Sequence, residues 1–140
     1  MSSSPNRLVA VIFGAVYLLI GALGFLVTAG VDFAATDGGL LLGIFEVNPL
    51  HNIVHLLIGA ALLIGGLKSV KAAKTVNIVV GAVYLLVGIV GFFIEGSALN
   101  ILALNTVDHF LHLVTALVLL GVGLGAERDE RATTRDTRTV

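Results

Sequence analysis

The chain has no cysteine. That excludes disulfides and thiolate metal sites, and leaves the redox compartment undetermined. Charge is scarce as well. Asp, Glu, Lys and Arg make up 12% of the 140 residues, where a water-soluble domain carries about 25%. The net charge is −1, so there is no bulk attraction to nucleic acid, and none is expected as a partner. There is no C-x-x-C-H, which excludes covalently attached c-type haem. H-E-x-x-H is missing too, and no serine or cysteine nucleophile accompanies the histidines. Hydrolytic chemistry is therefore not expected, and an enzyme is not the favoured reading.

What is present is apolar. Hydrophobic residues are 57% of the chain, and no charged residue occurs from Leu8 to Gly30. Runs of about 20 apolar residues span the hydrocarbon core of a bilayer. Four such spans are predicted, over residues 8–28, 49–67, 76–94 and 106–125. The fold class is therefore an all-α membrane protein of four transmembrane helices, in contact with the lipid bilayer. Residues 1–7 form a short N-terminus and 68–75 a basic loop, and 126–140 are expected to be a polar, disordered tail. MSSSPNR and the run after it resemble a signal peptide. The run is too long for a typical h-region and recurs internally, so it is read as a retained helix.

The recurrence organises the chain. GAVYLLIGALGF at 14–25 returns as GAVYLLVGIVGF at 81–92, and NPLHNIVHLL at 48–57 returns as NTVDHFLHLV at 105–114. The unit is a pair of helices used twice. Each copy crosses the membrane twice, so the copies run parallel and are expected to relate by a pseudo-two-fold axis along the membrane normal. All eight Lys and Arg residues fall on one side: Arg7, then Lys68, Lys71 and Lys74, then Arg128, Arg131, Arg135 and Arg138. The opposite loops hold Asp32, Asp37, Glu46 and Glu95. Both termini are therefore expected in the cytoplasm, with the plasma membrane of a prokaryote as the setting. GLLLGIFEV before the second span and ALNILAL before the fourth are too short to cross. They read as interfacial or partly re-entrant segments on the outer face.

Gly14, Tyr17, Gly21 and Gly24 share about 80° of helical arc, and Gly81, Tyr84, Gly88 and Gly91 repeat the arrangement. Small residues on one face let membrane helices approach closely, either within the chain or in a homo-oligomer. The Cα–Cβ bond tilts toward the helix N-terminus. The tyrosines should thus point toward the cytoplasm, away from the histidines, and bond a backbone group or hydroxyl in the inner half.

Aligning the second helix of each copy pairs Asn48 with Asn105, His51 with Asp108, Asn52 with His109 and His55 with His112. Asn48 before Pro49 reads as a helix cap with proline at the first helical position. Asn105 with Asp108 reads as a capping box. His51 and His55 share one stripe, Asp108 and His112 share the equivalent one, and His109 sits at its edge. His55 lies about 9 Å into the helix, within the outer leaflet. Ionisable groups there usually face the bundle interior and mark a functional site. His51, His55, His112 and Asp108, with His109 nearby, offer ligands for a transition metal such as zinc or copper. Alternatively His55 and His112 hold a non-covalent haem, with Gly59 and Ala116 leaving room for the macrocycle. Two other readings stand beside these. One is a structural or accessory protein whose histidines form a polar packing network. The other is a proton or small-solute conduit, which the apolar inner halves of spans two and four oppose.

The two signatures G-x-x-Y-x-x-x-G-x-x-G-F and L-x-G-I-F-x-V-N-P-L-H-N-I-V-H-L-x-x-G resemble an uncharacterised family of small four-helix membrane proteins, catalogued as a domain of unknown function (4383). The resemblance covers most of residues 8–125 and is most specific around Asn48, Pro49, His51, Asn52 and His55. It implies the four-helix topology and no particular activity. The layout is also similar to that of small four-helix quinone-associated membrane proteins, though no motif extends that beyond architecture.

Overall fold

A computed structural model describes residues 4–127. The predicted tail falls mostly on residues 128–140, outside the described residues. Four helices form the body: α1 (Pro5–Gly24), α2 (Pro49–Lys68), α3 (Val70–Ile94) and α4 (Thr106–Gly125). All four are long and apolar enough to cross a membrane, since 20 residues at 1.5 Å each cover about 30 Å. The chain is an integral membrane protein of four helices.

Each helix starts where a short polar side chain takes over an orphan backbone N–H. The Ser4 hydroxyl accepts from Arg7 N at 3.2 Å, with Pro5 at the first helical position. Asn48 Oδ1 accepts from His51 N at 2.8 Å, ahead of Pro49. Ser69 Oγ accepts from Ala72 N at 3.1 Å. That last cap corrects the expected 68–75 loop. Ser69 alone separates α2 from α3, and Lys71 and Lys74 lie on the first turns of α3 rather than in a loop. The first span is also displaced. Helix α1 starts at Pro5 and ends at Gly24, so Asn6 and Arg7 are helical. Arg7 closes the far end of α2, where Nε and Nη2 donate to the carbonyls of Gly66 and Leu67 at 2.8 and 3.0 Å.

The segment before α2 is a β-hairpin, which the reading of GLLLGIFEV as an interfacial run did not include. Strands β1 (Gly39–Leu41) and β2 (Phe45–Val47) pair antiparallel, Gly39 opposite Val47 and Leu41 opposite Phe45. The turn uses left-handed backbone at Leu42 (φ 54°) and Gly43 (φ 75°). Glycine adopts that conformation freely, whereas leucine seldom does.

Polarity is inverted relative to a soluble bundle. Leu8, Leu19, Leu57, Ile64, Leu86 and Leu117 are more than half exposed, while Asn6, Asn52, Asn77, His109 and Thr115 are buried. Apolar side chains face lipid and polar ones pair inside. A core of Tyr17, Leu62, Val80, Tyr84, Ala116 and Leu119 fills the centre.

Helices α1 and α2 pack through glycine, as do α3 and α4. A Cβ on Gly14 would stand 2.5 Å from Leu63 N and 2.9 Å from Gly59 O, and one on Gly59 would stand 2.6 Å from Leu18 N. On the other pair, Gly81 meets Leu120 and Gly88 meets Leu113. The glycine faces are thus occupied within the chain. Gly14→Ala should push α1 off α2, because backbone atoms cannot rotate aside. The expected cost is about 1–3 kcal/mol, readable as an earlier transition when the detergent-solubilised protein is unfolded with SDS.

Candidate metal centre

The capped start of α2 aims His51 and His55 into the bundle, and α4 brings His112 to meet them. All three are buried, and one ring nitrogen from each lies within 4.8 Å of the others. His51 Nε2 and His55 Nε2 share a hydrogen bond of 3.1 Å. Ring centroids are 4.3 Å apart for His51 and His55, 5.9 Å for His51 and His112, and 6.2 Å for His55 and His112. The Nδ1 atoms of all three histidines are buried without a hydrogen-bond partner.

Asp108 and His109 lie elsewhere, although both were in the candidate ligand set. Asp108 is the repeat counterpart of His51, but its carboxylate turns back to the helix start. Oδ2 accepts from Asn105 N at 2.9 Å, and Asn105 Oδ1 accepts from Asp108 N at 3.0 Å, a complete capping box. Oδ2 also accepts from Glu46 N at 3.2 Å, tying α4 to β2. His109 stands against Gly91, where a Cβ would collide with its ring. Its Nε2 is 3.0 Å from Glu95 Oε2. The other copy makes the matching contacts: Asn52 fills the notch at Gly24 and donates from Nδ2 to Thr28 Oγ1 at 3.1 Å. His109 therefore takes the packing place of Asn52, and three histidines meet because Asp108 stands where a strict repeat would place a fourth. His109→Ala should cost about 1–3 kcal/mol of stability, because the Glu95 carboxylate loses its partner and the notch at Gly91 empties; SDS titration of the detergent-solubilised variant measures it.

The tyrosines are closer to the histidines than the Cβ tilt suggested. Tyr17 lies 5.2 Å from His55 and Tyr84 lies 4.9 Å from His112, centroid to centroid, and the two tyrosine rings stack at 5.2 Å. Helix register explains this. Gly21 opposes Asn52 and Gly14 opposes Gly59, which sets Tyr17 level with the turn from His55 to Gly59. A ring bridges the remaining offset. As expected, Tyr17 does find a hydroxyl: its OH and Thr115 Oγ1 are 2.9 Å apart. The Tyr84 OH is buried without a partner.

The same packing removes the space proposed for haem. Gly59 faces the backbone of Gly14 and Leu18 rather than a void. Ala116 is fully buried in the core beside both tyrosines. Among the described residues, the His51, Tyr17 and Tyr84 rings stand against those of His55 and His112, centroids 4.9–5.9 Å apart, where a macrocycle between the two would have to enter.

Sequence reading missed a polar clasp near the termini. Asn77 Nδ2 donates to Asn6 O and Oδ1, both at 3.0 Å. Asn6 Nδ2 donates to Val122 O at 3.2 Å and Glu127 Oε2 at 2.7 Å. Asn6 lay outside the predicted span, and Asn77 has alanine as its repeat counterpart, so neither stood out by periodicity. The fully buried Leu62, Ala116 and Leu119 belong to the apolar core, the inner-half packing that already counted against a conduit.

The family model described as Domain of unknown function (DUF4383) matches residues 7–125. The chain belongs to the DUF4383 family. No curated protein and no solved structure matches it. For this DUF4383 chain the chemistry must therefore be read from its own side chains.

Proposed function

We propose that this DUF4383 protein holds one transition metal ion, zinc or copper, between His51, His55 and His112. The convergence of the three rings carries the reading: one nitrogen from each buried imidazole lies within 4.8 Å of the others. A histidine cluster that served only to lock helices would pair each ring with a carbonyl, amide or hydroxyl, whereas here the His51–His55 bond is the one side-chain hydrogen bond among the three rings. Neutral imidazole lone pairs suit zinc and copper. The 3.1 Å separation of the two Nε2 atoms is close to the edge of about 3.3 Å in a tetrahedron with metal–nitrogen bonds near 2.05 Å. Three protein ligands leave a fourth position for water or another small ligand. Asp108, one turn before His112 on α4, and Glu46 on β2 lie at the same end of the bundle.

The packing-network reading retains the His51–His55 hydrogen bond as its support, and predicts no metal dependence. We also infer that the termini lie in the cytoplasm of a prokaryotic cell and that the hairpin faces outward. The one-sided distribution of Lys and Arg supports this orientation.

Metal binding to the folded state alone stabilises it. At a free concentration one hundred times Kd, Zn²⁺ or Cu²⁺ should raise the unfolding free energy by about 2.7 kcal/mol, and a chelator should reverse the gain. Identical melting with and without either ion would count against the centre.

A further inference from the structure

Charge separates the ions that three imidazoles could take. His51, His55 and His112 are 1%, 4% and 2% exposed, and they project from membrane-spanning helices, where solvent cannot offset a buried charge. Neutral imidazole, the ligating form, brings no charge of its own. Among the described residues, the converging group holds three histidines and no carboxylate. The carboxylates at that end of the bundle are spent elsewhere. Asp108 Oδ2 accepts from the backbone N–H groups of Asn105 and Glu46. Glu46 Oε1 accepts from Gly38 N, and Glu95 Oε2 pairs with His109 Nε2. Asp32 and Asp37 are exposed. The other neighbours of the three rings are aromatic. Tyr17 stands 5.2 Å from His55 and Tyr84 stands 4.9 Å from His112, centroid to centroid, with Leu62, Val80 and Leu119 packed in the same core.

An ion held here therefore keeps its full charge in a low-dielectric setting. The cost of burying an ion grows with the square of its charge, so Zn²⁺ or Cu²⁺ meets about four times the penalty of a monovalent ion. Copper in its lower oxidation state is monovalent, and imidazole is a suitable copper ligand. We propose that the three-histidine centre is a cuprous site, holding copper as Cu⁺ in preference to Cu²⁺ or Zn²⁺. The inference rests on the metal-centre reading and adds the charge state of the ion. The divalent ions still bind, at higher concentration. Oxidation of bound Cu⁺ would double the buried charge, so the site protects the reduced form.

Competition titrations of the full-length protein in detergent measure the preference. Cu⁺ is titrated anaerobically under ascorbate against bicinchoninate, Cu²⁺ is titrated in air against glycine, and free imidazole in water serves as the reference for both ions. The ratio of the Kd for Cu²⁺ to the Kd for Cu⁺ should exceed the imidazole ratio by at least about 100-fold. His51→Glu places one carboxylate among the rings and should return most of that gain. A parent ratio equal to that of imidazole would overturn the cuprous preference and leave the centre intact. A parent that binds neither ion would overturn the centre and the preference with it. An H51E protein that binds both ions and keeps the full ratio would overturn buried charge as the cause. The parent ratio decides by itself should that variant not fold.

Discussion

His112→Phe should abolish metal binding and leave the metal-free protein as stable as its parent or slightly more so. Phenylalanine fills a similar volume between Tyr84, His51 and His55, so no large cavity opens. The buried Nδ1 of His112, unpartnered in the parent, disappears, and with it a penalty of about 1–3 kcal/mol. Metal affinity should fall by more than about 100-fold, because even outer-shell partners of a ligand are worth roughly 10–100-fold. The two readings of the histidines predict opposite signs here. A packing network loses stability when a member is removed, whereas a metal centre loses only its ion. Melting curves of parent and H112F, each with chelator and with Zn²⁺, measure both quantities in one experiment. A metal-free H112F that melts well below its parent would favour the network.

Asn48→Ala should be the most damaging single change outside the helix packing. Asn48 is fully buried and makes three hydrogen bonds to three segments. Oδ1 caps α2 through His51 N. Nδ2 donates to Ala35 O at 2.8 Å and Ile101 O at 2.7 Å. It thereby pins the segment before the hairpin and the segment before α4 to the helix that carries His51 and His55. Cap loss alone is worth about 1 kcal/mol. Leaving two carbonyls unpaired adds to it, for about 3–5 kcal/mol in total. That is a large share of the 5–15 kcal/mol that typically separates folded from unfolded states. Asn48→Ser should restore the cap and about 1 kcal/mol, but neither loop bond. The counterpart Asn105→Ala should cost less, since the Asn105 Nδ2 reaches one partner, Ile44 O at 2.8 Å, in an exposed setting. SDS or urea titration of the four proteins gives the ranking. A serine variant as stable as the parent would mean that the loop bonds contribute nothing.

Asn48 also shows where sequence reading stops. Its role as a cap was legible, because Asn-Pro before an apolar run has a local physical cause. Its two Nδ2 bonds were not, because they join it to Ala35 and Ile101, segments distant in sequence or irregular in backbone. The helices were legible for a similar reason: lipid selects long apolar runs, and the run is visible residue by residue. The hairpin was hidden because Leu42 holds one of the two left-handed positions of its turn, leaving Gly43 alone to mark it. For the site, the repeat brought out His51, His55 and His112. It also suggested Asp108 and His109, since alignment assigns a stripe but not a rotamer. Asp108 turned to the helix N-terminus, where backbone N–H groups already awaited an acceptor. His109 followed Asn52 into a glycine notch. The tyrosine contacts depended on the register between α1 and α2, which Gly14 and Gly59 set and which no single-helix argument supplies.

The most direct test of the account is the metal content of the purified chain. The parent and H112F should be saturated with Zn²⁺ or Cu²⁺, freed of excess ion, and assayed by elemental analysis alongside protein quantitation. One ion per parent chain and almost none per H112F chain is the predicted result. A parent that retains no stoichiometric ion, or an H112F protein that retains as much as the parent, would contradict it.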